Sequence, residues 1–148
     1  MIRITPQMFF DQPRVKRAVD GAKRSVLSKA GAFVRQRART LIRPRQRSAR
    51  PGEPPSSHTG LLRRFIWFGY DRQQDSVVIG PAPLNTSGGR SPYGQTTVPE
   101  ALELGGTVAA RERGKREVRH YAGNPYMGPA MEKEADRFGQ LWRDSVRR

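Results

Sequence analysis

Two histidines, His58 and His120, are the first residues to weigh for chemistry, because imidazole titrates close to neutrality and so suits proton transfer. They lie far apart in the chain, and neither belongs to a nucleophile elbow or to a pair at metal-ligand spacing. The chain has no cysteine, which removes a disulfide framework and any thiolate site and fits a reducing compartment. Carboxylates cluster as Glu100 with Glu103 and as Glu132, Glu134 and Asp136. At helical spacing among basic residues such clusters read as solvated, charge-balanced faces. Gly88-Gly89 lacks the strand, helix and lysine that a phosphate-cradling loop requires. The sequence therefore predicts no catalytic residue, no metal site and no cofactor, and its expected role is not enzymatic.

Cationic chemistry is far better represented. Arg35, Arg37, Arg39, Arg43, Arg45, Arg47 and Arg50 form a run without an intervening acid, within a chain of formal net charge +15. Such a surplus attracts a polyanion, or the acidic members of a larger assembly. If six of these arginines met phosphate, the log-log salt slope would be about −5. No zinc finger, RNA-recognition or KH signature is present, so a nucleic-acid contact would be made to the backbone without reading sequence. Docking on an acidic protein is the other reading of the same run.

The elements that must carry these groups follow from patterning. A chain of 148 residues suits one domain, and that size buries roughly 70% of the surface its unfolded form exposes. Only 35% of residues are hydrophobic, with 15 Gly and 12 Pro, so part of the length is expected to be loop or arm. No apolar run reaches membrane-spanning length and no export signal opens the chain, which predicts a soluble protein without a membrane partner. Ile2 and Ile4 alternate with Arg3 and Thr5 as a short edge strand. Asp11 then caps a helix with Pro13 in its first turn. Val15, Val19, Ala22, Val26, Ala30, Phe33, Ala38 and Leu41 approximate one helical face.

A helix continuing to Ile42 would be about 45 Å long at 1.5 Å per residue, more than a domain of this size covers alone. Part of it is therefore expected to contact a neighbour. Ala18, Ala22, Val26, Ala30 and Phe33 are the interface candidates, with a kink near Gly31 as the plainer alternative. Pro44 ends the helix, and residues 43–57 read as a basic, proline-rich, extended and mobile arm. Residues 61–70 and 76–80 form a hairpin whose first strand carries apolar side chains on both faces. Residues 81–98 form a long loop. A short helix from Pro99 ends at Gly105-Gly106, a charged second hairpin turns at Arg113-Gly114-Lys115, and Asn124-Pro125 introduces a last helix. There Met127, Met131, Ala135, Phe138, Leu141, Trp142 and Ser145 define the expected core face, so that truncating Trp142 would cost about 3–5 kcal/mol. The predicted fold is α+β: a long N-terminal helix, a small mainly antiparallel sheet built from two hairpins, a short middle helix, and a C-terminal helix packed on the sheet.

Four short motifs follow the long basic N-terminal helix in a set order. They are Thr59-Gly60-Leu61-Leu62-Arg63 entering the first hairpin, Val77-Val78-Ile79-Gly80 ending it, Glu103-Leu104-Gly105-Gly106-Thr107, and Pro125-Tyr126-Met127-Gly128-Pro129-Ala130 opening the last helix. This order, over most of the chain, resembles the tail-completion, or head-tail joining, proteins of tailed bacteriophages. That family commonly has Asp before the Thr-Gly pair, where this chain has His58, with Ser57 able to substitute in a cap or turn contact. The resemblance implies a structural virion protein with an α+β fold, assembled in the host cytoplasm into an oligomeric, typically hexameric, ring at the neck. Its partners would be the head-side connector or stopper and the tail terminator or tail tube, with genomic DNA in the channel.

Overall fold

The computed structural model describes residues 11–82, 97–112 and 115–145. The expected edge strand at 2–5, most of the loop at 81–98 including Gly88-Gly89, and the tip Arg113-Gly114 lie outside the described residues. The chain is α+β, as patterning predicts. Helix α1, Gln12–Leu41, begins where the Asp11 carboxylate accepts the Arg14 backbone N–H at 3.0 Å and Pro13 occupies the first turn. It ends at Ile42, before Pro44. Helix α4, Met127–Ser145, runs along α1.

Among the described residues, three two-stranded ladders and two short helices lie between them. Strands β1, Arg43–Pro44, and β2, Ser56–Ser57, pair in parallel. Helix α2, Leu61–Arg64, then leads into the antiparallel hairpin of β3, Ile66–Asp71, and β4, Ser76–Pro81. Helix α3, Val98–Leu104, carries a capping box between Thr97 and Glu100. It feeds the second hairpin, β5, Gly106–Glu112, with β6, Lys115–Tyr121. The two hairpins remain separate ladders. The first lies on α1 and the second is reached through α3.

The core gathers at the C-terminal half of α1. Val34, Ala38 and Ile42 meet Leu62, Ile66, Tyr126 and Ala130, with Ile79, Leu102, Met127 and Phe138 at the margin. The first turn of α4 thus shares one apolar cluster with the first hairpin. Gly31 sits in unbroken helix, without the break offered as the alternative, and the hairpin lies close against it. A Cβ there would come within 2.8 Å of Val77 Cγ2 and 2.9 Å of Phe68 Cδ2. Gly31→Ala gains about 1 kcal/mol of helix propensity but overpacks at a cost of about 1–3 kcal/mol. A net loss of about 1 kcal/mol is expected in urea unfolding, and a midpoint at or above wild type would contradict the close approach.

Several local expectations are corrected. Residues 61–64 are helical rather than strand, because Gly60 at φ +76° turns the chain and the Arg64 N–H donates to the Gly60 carbonyl. The first hairpin is not covered on both faces. Phe68 and Val77 face α1, while Trp67 and Val78 on the other face are 56% and 63% exposed. Residues 43–57 do not form a free arm, since β1 pairs with β2, the Gly52 N–H donates to the Gly123 carbonyl at 2.9 Å, and Pro55 is buried. In α4 the expected face is rotated. Ala130 and Glu134 are buried, whereas Met131 and Trp142 are 47% and 41% exposed, so the core-sized cost of truncating Trp142 does not apply.

Candidate functional site

Two of the seven arginines are taken up inside the fold. Arg35 donates from Nε to the Ile66 carbonyl at 2.7 Å and lies over the Trp67 ring at 5.7 Å. Arg37 donates from Nε to Glu134 Oε1 at 2.7 Å, joining α1 to α4. Both are engaged through Nε with partners in the fold, and Glu134, read from sequence as solvated, is 2% exposed. Arg137 donates to its other oxygen at 2.8 Å and lies 5.0 Å from the Phe33 ring. The Arg137 hydrogen bond, joined by Arg37, holds the Glu134 carboxyl below the ordinary glutamate range against the opposing effect of burial. The sequence signal for this node was ambiguous, because an acid between helices and an acid on a solvated face have the same spacing.

The remaining arginines are Arg39, in the last turn of α1, and four that follow the helix. Arg39 is half-buried; Arg43, Arg45, Arg47 and Arg50 are exposed, and Arg45 lies 3.4 Å from the Glu53 carboxylate. They ride on a loop pinned at its far end by Asn124, whose side-chain amide donates to the carbonyls of Arg50 at 2.5 Å and Glu53 at 2.8 Å. The backbone around this pin crosses closely. Gly105 at φ +81° and Gly123 at φ +78° abut, and a Cβ on Gly123 would lie 3.3 Å from the Gly105 nitrogen. Only glycine combines that left-handed backbone with so close an approach.

The motif residues prove to be the parts of this junction. Glu103, also expected on a solvated face, directs its carboxylate at the start of α4 and accepts the backbone N–H groups of Tyr126 at 2.8 Å, Met127 at 3.0 Å and Gly128 at 2.8 Å. These are the donors a helix leaves unpaired in its first turn, and a carboxylate there also meets the positive end of the helix dipole. Tyr126 and Ala130 are fully buried, with Met127, Pro125 and Pro129 half-buried. Burial, with the Glu103 charge nearby, pushes the Tyr126 phenol up. Gly106 opens β5, and Thr107 Oγ1 lies 2.9 Å from His120 Nδ1. At the first hairpin the Thr59 hydroxyl accepts the Leu61 N–H at 3.4 Å, Leu62 is buried, Arg63 is exposed, and Gly80 stands opposite Trp67. Thr59 itself therefore makes the turn contact expected of Ser57, which pairs in β2, and His58 is exposed.

The interface candidates on α1 divide between interior and surface. Val26 and Ala30 are consumed by the chain's own core. Phe33, 36% exposed, is met by Arg137. Ala18 is exposed and Ala22 half-buried, and alongside them Val15 and Val19 are 44% and 57% exposed. The hairpin supports this half of α1 only from one side, where Lys23 pairs with Asp75 and Arg24 lies 5.4 Å from the Tyr70 ring. Among the described residues no group of three or more His, Cys, Asp or Glu is placed to hold a metal ion, and no helix is long and apolar enough to cross a membrane. Comparison with protein-family models, with characterised proteins and with solved structures finds no match to this chain.

Proposed function

We propose that the chain is a non-enzymatic structural protein of a tailed-bacteriophage virion, assembled in the host cytoplasm into a ring at the neck. There it joins the head-side connector or stopper to the tail terminator or tail tube. The observation that carries this reading is the outer half of α1, a basic helix whose Val15 and Val19 lack cover from the described residues although the chain has a core of its own. An exposed apolar stripe on a charged helix is the surface an assembly buries. The resemblance of the ordered motifs supports the same reading, and Glu103 with residues 125–130 gives one architectural reason for two of them to occur together. Sedimentation of the purified chain at moderate salt, alone and with neck components, is expected to show an oligomer that incorporates those components.

A backbone-directed nucleic-acid-binding protein is the second reading, favoured by the exposed Arg43, Arg45, Arg47 and Arg50 on their pinned loop. With Arg35 and Arg37 engaged inside the fold, the five remaining arginines of the run would give a salt slope of about −4. A monomer that ignores neck components yet binds DNA with that slope would replace the first reading by the second. Exchange of Arg43, Arg45, Arg47 and Arg50 for Gln is expected to impair particle assembly or DNA retention. Unchanged particles would remove the loop from the contact surface.

A further inference from the structure

Two apolar helix faces lack cover from the described residues, one bordered by bases and the other by two acids with one base beyond them. On α1 the free face is Val15, Val19 and Ala22, bordered by Arg14 and Lys16, both exposed. Residues 12–25 contain five basic side chains against the single acid Asp20. On α4, Met131, Ala135, Gly139 and Trp142 recur at i, i+4, i+8 and i+11, the spacing of one face. Met131 and Trp142 are 47% and 41% exposed. Ala135 and Gly139 between them are also exposed and leave a shallow trough, into which a Cβ at Gly139 would meet nothing within 4 Å. Glu132 and Asp136, exposed and without an ion-pair partner among the described residues, border this trough, with Arg143 a turn beyond.

We propose that the free half of α1 in one copy seats in the α4 trough of the next copy. This rests on the ring reading and specifies its contact. A symmetric α1 to α1 contact would set five basic residues against five others, whereas α1 against α4 sets Arg14 and Lys16 against Glu132 and Asp136. The lengths agree: residues 12–25 span about 21 Å and residues 131–142 about 18 Å at 1.5 Å per residue. Small Ala and Gly positions in the trough admit the Val15 and Val19 side chains between Met131 and Trp142. Because the two faces differ, the contact is head-to-tail, and repetition with rotation closes a ring while leaving no copy unpaired.

The test uses the full chain in sedimentation velocity at moderate salt. Val19→Glu spoils the α1 face, and Glu132→Lys with Asp136→Lys spoils the α4 face; each is expected to weaken self-association at least tenfold while the urea midpoint stays at the wild-type value. An equimolar mixture of the two variants is expected to stop at a one-to-one dimer, since one intact face of each kind remains. Lys16→Glu, a surface charge change, repeats the α1 arm should Val19→Glu lower the midpoint. A wild-type oligomer unaffected by both variants overturns the α1-to-α4 contact and leaves the ring reading standing, as does a mixture that forms no dimer. A wild-type chain that stays monomeric at every concentration and with neck components overturns the ring reading, and the contact with it.

Discussion

Replacing Arg37 by Met is expected to lower the unfolding free energy by about 3 kcal/mol. Arg37 spans from α1 to a glutamate on α4 that is 2% exposed, and its removal leaves Glu134 with Arg137 as its one ion-pair partner among the described residues. Removing one partner of a buried pair costs about 3–5 kcal/mol when the other is stranded; Arg137 keeps the value near the lower end. The double replacement Arg37→Met with Glu134→Met is expected to be less destabilising than the single one, because no buried charge remains to be compensated and the methionines fill similar volume. Urea unfolding of the four proteins in the cycle measures the coupling. If the double variant were as unstable as the sum of the single ones, the interaction would not be a buried pair of this kind.

The same carboxylate sets an acid limit. Its pKa is lowered from 4.5 in the folded chain, so its stabilising contribution is fully present above that value and is lost as the pH falls through the lower folded-state value. Unfolding free energy should therefore decline with acidification below about pH 4.5, and the Arg37→Met, Glu134→Met variant should show a shallower decline. Equal slopes in the two proteins would assign acid sensitivity to other carboxylates.

Glu103→Ala is expected to cost about 2–4 kcal/mol. The replacement strips an acceptor from three backbone donors at the head of α4, two of them part-buried. Hydrogen bonds to a charged group contribute about 1.5–3 kcal/mol each but do not sum when one carboxylate serves all three. Glu103→Gln keeps one carbonyl acceptor and is expected to lose roughly half as much. Hydrogen exchange gives the more local readout: the first turn of α4 should lose protection in Glu103→Ala before α1 does. Uniform loss along both helices would mean that the carboxylate acts on global stability alone.

These two acids mark the boundary between what residue pattern and what packing decide. Sequence alone determined the long first helix, the two hairpins, the short helix between them and the last helix in their order, though not α2 or the β1–β2 ladder, because helix period, the Asp11 cap with Pro13, the Pro44 stop and the glycine after α3 act within a few residues of themselves. It also determined that α1 would outrun its own core, since that follows from a length and a rise per residue. Only the tertiary structure decided which of two adjacent stripes on α4 turned inward. The apolar pattern there spans both, and the inward stripe is the one that packs Ala130 in the core and carries Glu134, met by Arg37 from another helix 97 positions away. Likewise, Glu103 reads locally as one more acid on a short helix. Its partners lie more than twenty residues on and are backbone groups, which carry no signature in the sequence. The arginine run shows the same limit from the other side. Seven arginines of one run look equivalent, yet Arg35 and Arg37 bond across to β3 and α4 while those from Arg43 onward stand on a loop held by Asn124. Burial and distant hydrogen bonds separate them, and neither is a property of spacing.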